Sequence, residues 1–165
     1  MMEGKVEQRR RSVFSLSLEQ ALRASDEILE LLPTWFGIPE ANQGYIDTAD
    51  THPGIVASRG NDPVGITTVK HHSPYAAEVY LMAIKPAFHR HGIGTLMLCQ
   101  VEAGLARDRV EFLQVKTLSA ARVDEGYAKT RAFWLASGFR PLEEFPTLWD
   151  PSNPALQLIK AVPSR

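Results

Sequence analysis

Three features of this chain carry groups that could do chemistry. The first is FHRHGIGTLML (88–98), a basic loop with two glycines directly in front of an apolar helical pattern. Glycine at 92 and 94 lets a ligand approach the backbone with no Cβ in the way. The first-turn N–H groups of the following helix are unpaired within it, and its dipole adds partial positive charge there. Arg90 contributes a full charge, and His89 and His91 add more at low pH. Such a cup suits a phosphate, and a diphosphate well. The second feature is Glu78, the one carboxylate beside an otherwise apolar run, EVYLMAI (78–84), where burial suits it to accept a proton. The third is a set of imidazoles, His71-His72 and His89-x-His91, with a lone thiol, Cys99. No Cys or carboxylate stands at ligand spacing from these histidines, so no metal site is expected. Cys99 falls mid-helix and reads as a small buried hydrophobe.

The glycine loop excludes two common phosphate motifs. A dinucleotide loop needs a third glycine where Met97 stands, and a Walker loop needs Gly-Lys followed by Ser or Thr.

The elements that must position these groups follow from periodicity and breakers. Residues 12–18 read as a first strand, and 18–32 (LEQALRASDEILELL) as a helix stopped by Pro33. Residues 34–53 are loop-rich, with a short helix over 39–45 and with the aromatics Trp35, Phe36 and Tyr45 between breakers. Strands are expected over 54–58 and 64–71, separated by the turn signal Asn61-Asp62. The run 78–84 is apolar on both faces, as central strands are. A helix over 92–108 places Ile93, Leu96, Met97, Val101 and Leu105 on one stripe. A strand over 111–118 and a helix over 124–137 follow, the latter ending at Gly138. Residues 139–142 are short and extended, Trp149-Asp150-Pro151 reads as a turn with a packed aromatic, and 156–162 is a last strand. The order gives an α/β (α+β layered) domain, with helices around a mixed, mostly antiparallel sheet.

A chain of 165 residues suggests one domain over 1–165, with 1–11 (including Arg9-Arg10-Arg11) a flexible arm. A formal net charge of −1 gives no global field toward nucleic acid or an anionic membrane. No apolar run of signal length or of the ~20 residues needed to cross a bilayer is present, and the one cysteine cannot form an internal disulfide. A cytoplasmic protein is expected, and a homodimer is compatible with the sequence.

Two segments resemble the GNAT acetyltransferase superfamily. LMAIKPAFHRHGIGTLML is similar to its acyl-CoA signature: a central strand, Pro, then Gln/Arg-x-x-Gly-x-Gly/Ala opening a long helix. TRAFWLASGF (130–139) is similar to its second signature, a helix ending in Gly-Phe before a strand. Their spacing also fits, and the resemblance covers residues 54–142 best. His89 departs from the usual Gln or Arg but can still donate. The resemblance implies a GNAT fold and acetyl-CoA as cosubstrate. Its diphosphate would lie on His89, Arg90, His91, Gly92, Ile93, Gly94 and Thr95, and its pantetheine arm would add to the edge at Met82, Ala83 and Ile84 as an extra strand would.

Acetyl transfer from a thioester to an amine poses two proton problems. A lysine-like amine, with a pKa near ~10.4, is scarce as free base at pH 7 by roughly 4.6 kcal/mol, so a general base helps. The leaving thiol lies only about 2 kcal/mol away, so an acid matters less. Glu78 is the expected base, in the Glu-x-x-x-x-Ala-Ile context that histone-acetylating members share. Many members carry Tyr four residues before the Gly of the Gly-Phe pair, but here that residue is Trp134, whose indole cannot serve as an acid. Tyr127 lies seven residues earlier, about 10 Å along the helix, where members have an Asn near the pantetheine. It is the expected alternative, as a cofactor contact or a shifted acid. The reading is an N-acetyltransferase acting on an amine acceptor through a ternary complex. The alternative is a noncatalytic CoA-binding or regulatory module.

Overall fold

The computed structural model describes residues 12–14, 24, 27–32 and 54–164. Trp35, Phe36, Tyr45 and the three arginines at 9–11 lie outside the described residues, as does most of the helix expected over 18–32; Ala24 and residues 27–30 are helical.

The strands are β1 (Ser12–Phe14), β2 (Gly54–Arg59), β3 (Asp62–His71), β4 (Ala76–Ile84), β5 (Phe112–Leu118), β6 (Arg140–Asp150) and β7 (Asn153–Ala161). They form one sheet in the order β1-β2-β3-β4-β5-β7-β6. Helix α1 (Ile93–Arg107) links β4 to β5, and α2 (Glu125–Ala136) precedes β6. Every described pairing is antiparallel except β4 with β5, which need the α1 crossover because parallel neighbours cannot be joined by a tight turn. The mixed, mostly antiparallel sheet flanked by helices is the architecture expected from the sequence.

One irregularity organises the centre. Thr68 opposes Leu81 and Val69 opposes Val79, so Tyr80 is an extra residue in β4. Such a bulge bends its strand and moves the following side chains to the other face. Ala77 and Val79 therefore pack with Leu98, Val101 and Leu105 of α1 and Trp134 of α2. Leu81 and Ala83 instead meet Ala24, Ile28, Leu29 and Leu32 on the opposite side. Buried Lys85 ties that side together, its Nζ lying 2.5 Å from Glu27 and 2.9 Å from Asp62. Burial pushes the Lys85 ammonium toward neutrality, but the bonds to Glu27 and Asp62 outweigh it and hold the group above its ordinary value.

Four expectations need correction. The buried stripe of α1 is Ile93, Met97, Leu98, Val101 and Leu105; Leu96 is 40% exposed, because the face set by the i, i+4 row runs through 93, 97, 101 and 105. Cys99 is exposed on the outer face of α1. The short extended piece at 139–142 is the start of an 11-residue strand, β6. Its prolines, Pro141 and Pro146, are tolerated because β6 is an edge strand. Trp149 lies in that strand and is 46% exposed, so it is no packed turn aromatic.

Candidate active site

Three pieces of backbone and side-chain architecture converge on the middle of the sheet. The first is a split between the parallel strands. Pairing of β4 with β5 runs from Ala76↔Phe112 to Val79↔Val115 and stops. Beyond the Tyr80 bulge, residues 81–84 pair among the described residues with β3 alone, while β5 continues along β7 to Leu118↔Ala155. Met82, Ala83 and Ile84 thus line an open strand edge, which an extended chain can join through main-chain hydrogen bonds. Two residues past the last β4–β5 pair, Thr117 has a buried hydroxyl with no hydrogen-bond partner among the described residues. A polar atom left so at the split calls for a ligand group or water to meet it.

The second piece is the start of α1. Its N-cap is Gly92, left-handed at φ 76°, with no side-chain cap and no acidic residue in the first turn. The first helical bond runs from Leu96 N–H to the Gly92 carbonyl, so the N–H groups of Ile93, Gly94 and Thr95 lie ahead of the helical ladder. Arg90 is also left-handed, at φ 64°, which costs a residue with a Cβ about 1 kcal/mol. Non-glycine residues persist in that conformation where a site needs the curl. Arg90, His91, Gly92 and Thr95 are exposed, whereas Ile93 and Gly94 are buried. Gly94 is glycine for a reason the sequence did not disclose: a Cβ there would come within 3.1 Å of the Phe133 ring and 3.3 Å of Ile84. A side chain at 94 would press on Phe133 of α2 and Ile84 of β4, which would have to give way, while one at 92 would be strained by the left-handed backbone. His89 donates from Nε2 to the Ile84 carbonyl at 2.7 Å, and His91 donates from Nδ1 to the His89 carbonyl at 2.8 Å. These rings fasten the loop to the end of β4.

The third piece is a polar corner on the face opposite α1. Glu78 is not among apolar neighbours there. Its side chain is 6% exposed, and both oxygens face Lys116 Nζ, at 2.9 and 3.0 Å. Oε2 also accepts from His72 Nε2 at 2.5 Å and from Gln114 at 3.4 Å. Gln114 is bonded in turn by Gln157 of β7. Register explains the assembly: Glu78 opposes Lys70 on β3 and Gln114 on β5, and Lys116 follows Gln114 on the same face. The Lys70 ammonium stands 5.5 Å from the Tyr80 ring centre. His72 reaches in from the β3–β4 turn, where its own N–H bonds the Ala76 carbonyl.

Of the residues read from the sequence, the structure brings the open edge at 82–84 and the loop at 89–95 to the two ends of one segment, with Glu78 on the same strand. Tyr127 is half-buried in the first turn of α2, where Asp124 caps its N–H at 2.9 Å. Trp134 is 4% exposed and packs edge-on against Phe133 and Phe139, inside the core. Sequence reasoning did not find Lys116, Gln114, Gln157 or Thr117, and weighed His72 only as a metal ligand. The parallel register that gathers them leaves no mark in the sequence.

The model of the acetyltransferase (GNAT) family matches residues 20–139. The chain belongs to the GNAT acetyltransferase family. Solved structures agree in fold. A GNAT-family protein from Desulfovibrio desulfuricans superposes with a TM-score of 0.82 at 16% identity, covering 93% of this chain and 100% of that one. The ribosomal-protein-S18-alanine N-acetyltransferase of Escherichia coli gives 0.72 at 16% identity, over 94% and 96% of the two chains. A GNAT family acetyltransferase from Elizabethkingia anophelis, solved with acetyl-CoA bound, gives 0.71 at 13% identity, over 94% and 99%. No protein of curated function matches the chain.

Proposed function

We propose that this GNAT-family protein is an N-acetyltransferase that moves the acetyl group of acetyl-CoA directly to an amine in a ternary complex. The observation that carries the reading is the end of β4–β5 pairing at Val79↔Val115, which leaves the 80–84 edge open beside an uncapped α1. The residues fit the cofactor in kind. Arg90, His91 and the N–H groups of Gly92, Ile93, Gly94 and Thr95 offer donors to a diphosphate, with His89 anchoring the loop. Met82, Ala83 and Ile84 offer main-chain groups to the amides of pantetheine, and the Thr117 hydroxyl supplies a further polar partner in the split.

The chemistry then needs a free amine near the thioester and somewhere for its proton to go. The Glu78 corner lies on the same strand, just before the open edge, and is the group we assign as that sink. We assign Tyr127, at the start of α2, either to contacting the cofactor or to protonating the departing thiolate. Trp134 has no part in this, since it fills the core. The test is calorimetric titration with acetyl-CoA followed by thiol release across a panel of amines. Binding with turnover supports the enzyme. Binding with no turnover on any amine supports a CoA-binding regulatory module instead. Failure to bind at millimolar acetyl-CoA removes both.

A further inference from the structure

Glu78 is poorly disposed to receive a proton from a substrate. Its side chain is 6% exposed and both oxygens are engaged by Lys116, with His72 and Gln114 adding two more donors. Protonating it would break an ion pair held inside the sheet, and leaving one member of such a pair unmatched is costly. The half-exposed group at this corner is His72, with a side chain 35% exposed. Its Nε2 lies 2.5 Å from a carboxylate oxygen, which can only accept, so Nε2 carries the hydrogen. In the neutral ring the lone pair is therefore on Nδ1, and that nitrogen has no partner among the described residues. This is the logic by which a buried carboxylate fixes an imidazole's tautomer and stabilises its protonated form.

We infer that His72 takes the proton of the acceptor amine and that Glu78 is its positioning residue, held in place by Lys116. The inference rests on the acetyltransferase reading. The ammonium of the acceptor gives one proton to His72 Nδ1, forming an imidazolium against Glu78, and water later removes that proton. The freed nitrogen lone pair bonds to the thioester carbonyl carbon. The C–S bond breaks, its electron pair leaves on sulfur, and the second proton lost by nitrogen ends on the thiolate as thiol. The products are the N-acetyl amine, CoA thiol and one released proton. Among the described residues, the charged and titratable groups at this corner are Glu78 and Tyr80 on β4, Lys116 on β5 and Lys70 on β3, and Glu78 is the negative charge in contact with the ring.

Two measurements on the full chain decide this, and the first needs no acceptor. Nitrogen-15 NMR of the histidine rings should show neutral His72 with the hydrogen on Nε2. In Glu78→Gln that preference should be lost, because the neutral amide can either accept from the ring or donate to it. A neutral ring protonated on Nδ1 in the wild type, or a tautomer held equally firmly in Glu78→Gln, overturns the dyad whatever the protein's activity. The second measures thiol release with acetyl-CoA and a panel of primary amines running from alkylamines to weakly basic trifluoroethylamine. His72→Gln should slow the alkylamines by 10²–10⁴-fold at pH 7. It should spare trifluoroethylamine, which is already unprotonated, and leave acetyl-CoA affinity unchanged. A wild type that transfers to amines, with His72→Gln within fivefold of it on alkylamines, overturns the inference but leaves the acetyltransferase reading standing. A wild type that turns over no amine removes both.

Discussion

The two ends of the proposed site are built from different material. At the α1 end the functional groups are backbone N–H donors, and the side chains serve mainly to shape the loop: Gly92 by its left-handed φ of 76°, Gly94 by yielding to Phe133, His89 by holding the Ile84 carbonyl. At the Glu78 corner the functional groups are side chains, drawn from the β3–β4 turn, β4, β5 and β7. A backbone site is sensitive to conformation and indifferent to most side chains. A side-chain network is sensitive to each member, because removing one leaves the others without partners in a low-dielectric setting. The comparison therefore predicts that conservative swaps hurt the corner and spare the loop, while changes of backbone freedom do the reverse.

The sharpest break is at the corner. Glu78→Gln keeps the shape of the side chain but removes its charge. It should lower turnover at pH 7 by at least 10²-fold, with partial recovery as pH rises toward the amine's own pKa. Acetyl-CoA affinity, read by calorimetry, should hold. Lys116→Met comes next. It leaves Glu78 buried with His72 and Gln114 alone, and should cost about 3 kcal/mol in urea denaturation. Lys116→Met combined with Glu78→Gln should recover most of that loss, since no unmatched charge remains. Full additivity of the two losses would mean that the pair is not coupled.

The loop is tested by backbone freedom. Gly92→Val places a β-branched residue at a left-handed φ and should weaken acetyl-CoA at least tenfold, about 1.4 kcal/mol. His91→Gln, which changes only a side chain, should weaken it less than threefold. Equal losses in the two variants would erase the distinction between the two ends.

These contrasts follow what could and could not be seen in the sequence. Strands β2 to β5 and both long helices were legible, because alternation, β-branched runs and breakers mark them locally. The helix start at Gly92 was legible for the same reason, since a glycine loop in front of an apolar period marks it. Tyr80 as a bulge was not, because an extra residue looks like any other until its partner strand is known. Strand β6 was hidden by Pro141, Pro146 and two adjacent glutamates, Glu143 and Glu144, which an edge strand accommodates. The Glu78 corner was legible only as one carboxylate. Its partners His72, Gln114 and Lys116 lie 6, 36 and 38 residues away and meet it only through the hairpin and the parallel register.

The smallest effects are expected away from both ends. The amide of Asn153 and the N–H of Ser152 hold the Asp150 carboxylate at the β6–β7 turn below its usual value of 3.8. A depressed carboxylate stabilises the fold above its unfolded pKa, and that contribution fades as pH falls through the lower folded value. Lys85 is the reverse case. Its raised value keeps its contribution intact below 10.5 and loses it only above. Neither group should make stability vary between pH 5 and 9. A midpoint of urea unfolding that changes in that window in the wild type, but not in Asp150→Asn or Lys85→Met, would contradict these assignments.

The central claim is that the open β4 edge and the α1 loop present acetyl-CoA to an amine, so that the acetyl group passes directly between them. Mass spectrometry of reactions containing the protein, isotopically labelled acetyl-CoA and a broad set of amines tests it most directly. The account predicts a labelled N-acetyl product in one-to-one ratio with released thiol, and no labelled acetyl group on the protein itself. Acetyl-CoA that binds but leaves every amine unlabelled, or an acetyl group that accumulates on the protein, would contradict it.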